Sequence, residues 1–272
     1  MCYSAHVLRN LYSFLLLFGF DPKRFWYSLR AFPRYIGNLW TFWRETRKGG
    51  TNPDFPLGRP RPRLGKIEVS AENKRSFGQD VMVARRIFLN NPDVHFDVGS
   101  RRNGLVAHLA AFRSVFLVDA HAQDLHVSNV ELVQANITDE LPEDLVSCCD
   151  SVSSLDAIER LGLGELGSND EQVSLDAYLR AMENLLRILK PGGKLYFSAA
   201  MGTQRVEFNA RRIFAARTLF DFFTSHGCRV DRFSFVDDAG DLHENEEVAN
   251  EAIASNFGCL DGGCAIFEIT KT

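Results

Sequence analysis

The sequence predicts an α/β protein built on a mostly parallel sheet. Three observations carry that reading. From His95 onward, short apolar runs alternate with stretches of helical periodicity, the pattern of strands linked by helices that cover both faces of a sheet. The first run stops in an acid and a glycine, "HFDVGSRRNG" at 95–104, and a helical pattern follows at once. With 45% apolar residues in a chain of 272, there is enough to bury a full core.

The segment before the alternation differs in charge. Residues 1–66 carry 12 Lys/Arg against 3 Asp/Glu, a balance of +9, and residues 67–272 carry 19 against 32, a balance of -13, which together give the net -4. This divides the chain into a basic, aromatic-rich N-terminal extension with its linker (1–66) and an acidic domain (67–272). "LYSFLLLFGF", 11–20, is well short of the roughly 20 residues needed to cross a bilayer. The following "DPKRFWYSLR" offers no small-residue cleavage site, so neither spanning nor secretion is expected. Helical spacing fits 23–31 and 36–47, with Pro33 as a break between them. Two readings stand for this extension: it packs on the domain through its aromatic face, or it touches a membrane surface peripherally through residues 11–47. The Gly- and Pro-dense stretch 49–65 reads as an extended connector.

The domain then unfolds in order. A helix over 77–91 places Val81, Ala84, Ile87 and Phe88 on one face and ends at Asn90–Asn91–Pro92. Strands are expected at 95–98, 115–118, 130–134, 146–154 and 194–200, with helices at 103–112, 174–189 and 216–226. "LKPGGKLYFS", 189–198, closes a helix with a turn and opens a strand. The last two candidates, 229–236 and 264–270, have no clear crossover helix between them and are expected to pair as an antiparallel edge, completing seven strands. The six cysteines form no CxxC pair, which suits reduced, structural thiols in a cytoplasmic protein. No HExxH or paired-ligand pattern suggests a metal.

Ligands of open parallel sheets bind beyond the carboxyl ends of the strands. Gly99 and Gly104 are too few for the GxGxxG of a nicotinamide site, and Leu105 stands where a phosphate loop needs lysine. A carboxylate at Asp97 disfavours pyrophosphate but suits a cationic sulfonium. Asp119 ends the second strand, where a carboxylate takes both ribose hydroxyls, and Asn136 follows the third, where an adenine amine would be met. Together, "DVGSR", "LVD", "ANI" and "LKPGGKLYFS" resemble class I S-adenosylmethionine-dependent methyltransferases over residues 93–272. "QDVMVARRIF", "HFDVGSRRNGLVAHLAAF", "AIERLGLGELG" and "RVEFNARRIF" further resemble a methyltransferase-like family of unknown function.

That resemblance implies a Rossmann-like methyltransferase fold and S-adenosylmethionine as cofactor. Asp97, Gly99, Ser100 and Arg101 would hold its methionine end, Asp119 its ribose, and Asn136 with Ile137 its adenine. The family pattern has histidine where this chain reads Asp156, Arg160 and Arg211, which puts its chemistry in question. If activity survives, methyl transfer to oxygen needs a base, and Asp156 or Glu159 is the candidate. Asn209, Arg211 and Arg212 would orient a glycan or other small-molecule acceptor, and the glycine-rich 161–170 would be a lid or close-approach loop. The acidic balance of the domain argues against a nucleic-acid substrate. The rival expectation is a catalytically silent scaffold with the same fold.

Overall fold

In a computed structural model, the described residues are 12, 14–15, 17–18, 20–47, 55–58, 72–99, 104–120, 126–164 and 173–272. The elements are α1 (Pro22–Arg47), α2 (Glu72–Asn90), β1 (His95–Val98), α3 (Gly104–Ala110), β2 (Val115–Asp119), β3 (Val130–Gln134) and β4 (Cys149–Ser154). They continue with α4 (Ala177–Ile188), β5 (Leu189–Met201), β6 (Arg205–Glu207), β7 (Arg211–Ile213), α5 (Ala216–Ser225), β8 (Cys228–Val236), β9 (Leu242–His243), α6 (Asn250–Ala254) and β10 (Gly263–Lys271). One sheet takes the strand order β3-β2-β1-β4-β5-β10-β8-β9. Strands β1 to β5 pair in parallel, while β10 runs antiparallel to both β5 and β8. This is the expected Rossmann-like α/β fold, with two corrections. The sheet has eight strands rather than seven, because β9 adds a short rung at the edge. Strands 229–236 and 264–270 pair antiparallel as expected, but β10 is internal, between β5 and β8, and the antiparallel edge is the two-residue β9.

Burial explains the second correction. Residues 263–269 of β10 and 195–201 of β5 are buried, apart from half-buried Lys194 just before the β5 run. Strands covered on both faces read as continuous apolar runs and belong at the centre of a sheet. Phe197 and Phe267, with Phe233 of β8, meet Phe220 and Phe223 of α5 with ring centroids 4.9–5.5 Å apart. Each such ring contributes on the order of 2–3 kcal/mol by leaving water.

The "LKPGG" turn lies within β5. Cys149 pairs with Leu189 and Ser151 with Lys194, so residues 190–193 bulge out against the single residue Asp150 of β4. Gly192 takes φ 78° in that bulge, a conformation open to glycine. The helix over 77–91 starts earlier, at Glu72, and its buried face is Met82, Val83, Ala84 and Ile87. Val81 and Phe88, assigned to that face from spacing, are exposed. Asn91 ends it at φ 43°.

Pro33 does not break the first helix. It sits inside α1, on the exposed side, where the carbonyl it leaves without a backbone donor stays open to water. What holds the helix through it is tertiary packing: Tyr35 and Phe42, two turns apart, close on Phe208 at 5.7 and 5.2 Å. Asn38 between them donates to the Gly164 carbonyl at 3.2 Å. Part of the connector is also pinned. Phe55 is buried against Tyr178 and Phe214, and Pro56 and Gly58 exchange backbone hydrogen bonds with Val206 at 2.9 and 2.8 Å.

Candidate functional site

The strand order reverses between β1 and β4: the chain winds outward from β1 through β2 to β3, then returns to the other side of β1. A crevice at the carboxyl ends is built by that reversal. Register fixes what lines it. Val98 pairs with Val118, so Gly99 and Asp119 are the next residues on adjacent strands. Asp119 pairs with Gln134, which puts Asn136 two residues further along the next strand end. Asp97 pairs with Ser153 on the other side, and Leu155–Asp156 lead out of β4. Gly99, Asp119, Asn136 and Asp156 are therefore brought to one edge, with neighbouring strands about 4.8 Å apart.

Gly99 is exposed with φ 74°, and a β-carbon there would stand 3.1 Å from that of Ala157. Both features select glycine and leave bare backbone facing the crevice. Gly104, at the start of α3, has a different neighbour. The Asp80 carboxylate of α2 occupies the space a side chain would take, 2.2 Å from the would-be β-carbon. Asp80 and its neighbour Gln79 are buried polar residues on a face that spacing alone assigned elsewhere; sequence reasoning missed them both.

Asp97 is not at the crevice surface. It is fully buried, and its carboxylate accepts a hydrogen bond from Ser153 Oγ at 2.6 Å. Ser153 Oγ is also 3.1 Å from His95 Nε2, and His95 Nδ1 lies 2.6 Å from Ser151 Oγ. Burial drives the His95 pKa down to about 3, so the ring is neutral near pH 7. One proton arrangement satisfies the chain: Ser151 donates to Nδ1, Nε2–H donates to Ser153, and Ser153 donates to Asp97. Asp97 thus anchors β1 to β4 beneath the crevice, which corrects its expected place along the ligand.

Asp156 has φ 52° and is half-buried. Its N–H donates to Ser198 Oγ at 3.0 Å, and its carboxylate accepts from Gln79 Nε2 at 3.3 Å and Cys264 Sγ at 3.5 Å. Two elements, α2 and β10, therefore hold this carboxylate, and β5 holds its backbone. Glu159, the other expected base, is 1% exposed and drawn into the interior. Asn136 is exposed, but its amide is engaged locally: its oxygen accepts from the N–H and hydroxyl of Thr138, and its nitrogen donates to Asp139 at 3.0 Å. Ile137 is buried, and its carbonyl accepts from Asn184. Ser100 and Arg101 lie outside the described residues.

The three expected acceptor contacts separate. Asn209 is fully buried at φ 63° in the β6–β7 hairpin turn and donates to the Gly164 carbonyl at 3.1 Å. Arg212 is 1% exposed, donates to the carbonyls of Leu161 and Leu175, and lies 4.6 Å over the Tyr178 ring. Both are interior pins, a correction to their expected role. A basic pair in "FNARR" gives no local sign that one arginine turns inward. Arg211 alone stays partly exposed, 3.4 Å from Glu207. The described part of the glycine-rich loop is fixed as well. Gly162 at φ 71° packs so closely that a β-carbon would lie 1.9 Å from the Ser174 carbonyl, and Leu163 bridges to Val173. The remainder of the expected lid falls outside the described residues.

A family model described as a Caenorhabditis protein of unknown function, DUF268, matches residues 117–246. No curated protein matches the chain. Among solved structures, similarity extends to the cyclase SpnF at 16% identity, over 87% of this chain and 93% of that one, with TM-score 0.46. N-methyltransferase NodS from Bradyrhizobium japonicum WM9 aligns at 13% identity over 75% and 99%, with TM-score 0.47. Magnesium protoporphyrin IX methyltransferase ChlM from Synechocystis PCC 6803, with bound SAH, aligns at 12% over 76% and 90%, with TM-score 0.48.

Proposed function

We propose that the protein is an S-adenosylmethionine-dependent methyltransferase acting on an oxygen of a saccharide-like or other small acceptor. The observation that carries the reading is the β1/β4 crevice, where bare Gly99 backbone, Asp119 and Asp156 follow the carboxyl ends of neighbouring strands at the switch in strand order. Acidic groups around it suit a ligand with a sulfonium and an amino group and disfavour a pyrophosphate. Gly99 fits a ligand that must approach the backbone, and Asp119 fits a ribose diol. The cofactor supplies an electrophilic methyl carbon. The chain's own part is to hold the acceptor in line and to receive its hydroxyl proton, and the position of Asp156 just past the end of β4 supports that role for it. Arg211 is the remaining side chain for an anionic or polyhydroxylated acceptor.

A second reading has its own support. The Asn136 amide engaged in its own turn, the buried Glu159, and Asp156 and Arg211 standing where the family pattern has histidine all fit a methyltransferase-like protein that binds without catalysing. Calorimetric titration with S-adenosylmethionine and then S-adenosylhomocysteine tests the first reading. Micromolar binding of both is expected, and Asp119→Ala is expected to weaken both by about tenfold or more, the loss of about 1.4 kcal/mol or more. No heat and no thermal shift with either compound would overturn the cofactor assignment and leave the binding reading.

A further inference from the structure

Helix α1 carries two stripes, and the domain uses only one. Ser28, Ala31, Tyr35, Asn38, Leu39, Phe42 and Thr46 recur at helical spacing and face inward. A second stripe at positions 25, 29, 32, 36, 40 and 43 repeats every three or four residues on a different side. Its members are Phe25, Leu29, Phe32, Ile36, Trp40 and Trp43, each 43–57% exposed. Phe14, Leu17, Phe18 and Phe20, just before the helix, add further exposed apolar groups. So long a run of aromatic surface is unusual on a protein that stays alone in water.

The charge around the stripe says what covers it. From Pro22 to Arg47 the helix has six Lys/Arg and one Asp/Glu, against a strongly acidic domain. Lys23, Arg30, Arg34, Arg44 and Arg47 are all exposed, outside the inward stripe. Arg30, Arg44 and Arg47 lie over the rings of Trp26, Trp40 and Trp43 at 5.2, 5.4 and 3.8 Å. Tryptophan beside arginine is the combination that settles at the boundary of headgroups and acyl chains. No helix among the described residues is long and apolar enough to cross a membrane.

We propose that the outer stripe of α1 is a docking surface for an anionic phospholipid bilayer, on which the helix lies in the plane of the interface. The aromatic and aliphatic side chains enter the acyl boundary, and the long basic side chains around them reach lipid phosphates. The surface is independent of the crevice between β1 and β4, so the proposal stands or falls apart from the cofactor reading.

The three tryptophans of the chain, Trp26, Trp40 and Trp43, all lie on α1, which makes intrinsic fluorescence a reporter of this helix alone. The full chain would be mixed with vesicles of equal parts phosphatidylserine and phosphatidylcholine, and with phosphatidylcholine vesicles alone. Co-sedimentation with the anionic vesicles and a blue-shifted emission are expected, weakened by added salt and by omission of phosphatidylserine. The variant Phe25→Ser/Leu29→Ser/Ile36→Ser keeps the tryptophans and the inward Tyr35 and Phe42. It is expected to partition about tenfold less or weaker still, with the unfolding temperature of the parent confirming that it is folded. Absence of binding by the parent, or equal binding by the folded variant, would overturn the proposal. So would a concentration-dependent dimer that the variant abolishes without any vesicle binding by the parent, because the stripe would then be covered by a second copy.

Discussion

Replacing Arg212 with alanine will lower the unfolding free energy by about 3–5 kcal/mol, because it empties the space of a large buried side chain and takes the donor from two carbonyls. The guanidinium donates to two carbonyls, of Leu161 and Leu175, and rests on Tyr178. Its loss leaves those carbonyls without that donor in the interior, together with the volume of the largest fully buried side chain. Arg212→Lys keeps the charge but not the planar fork and is expected to fall between parent and alanine variant. Urea titration of the three proteins measures this. A fully stable alanine variant, altered only in its use of acceptors, would instead return Arg212 to the role that the sequence suggested.

The second large effect is a pH dependence centred on His95. Its folded pKa of about 3 lies below the ordinary 6.5, so the unfolded chain binds the extra proton between those values. Stability is fully present above pH 6.5 and declines as pH falls toward 3, by about 1.4 kcal/mol per unit at most, or about 4–5 kcal/mol in all. Carboxylates titrate in part of the same range, so the reading comes from comparison with His95→Gln. That variant starts less stable at pH 7, having lost contacts to Ser151 and Ser153, but its stability is expected to fall less steeply between pH 6.5 and 4. Parallel slopes for the two proteins would show that His95 titrates normally in the fold.

Most of the sheet was legible because its strands are short apolar runs between clear breaks, and a buried strand needs nothing else to be recognised. The ends of β1 and β2 were legible for the same reason: Gly99 and Asp119 follow the last apolar residue of each run. What the sequence hid are contacts between residues far apart in the chain. Arg212 turns inward for carbonyls at 161 and 175, and Gln79 reaches Asp156 across 77 positions. Pro33 was read as a break because local propensity favours one, and Tyr35 and Phe42 on Phe208 outweigh it. The antiparallel pairing of the last two long strands followed from the lack of a crossover helix, but their order beside β5 did not.

That order has a consequence for synthesis. Strand β10 is the last of the sheet in chain order, yet it lies between β5 and β8 and pairs with both. While the chain emerges from the ribosome, β1 to β5 can assemble as a parallel half with α1 to α4 around it, but the β8–β9 pair cannot join that half until residues 263–271 arrive. Until then the free edge of β5, with Phe197 on it, is an open template for another chain. The nascent protein therefore passes through a stage in which a long, largely buried strand waits for a partner, and β10 acts as the closing strip that ends it.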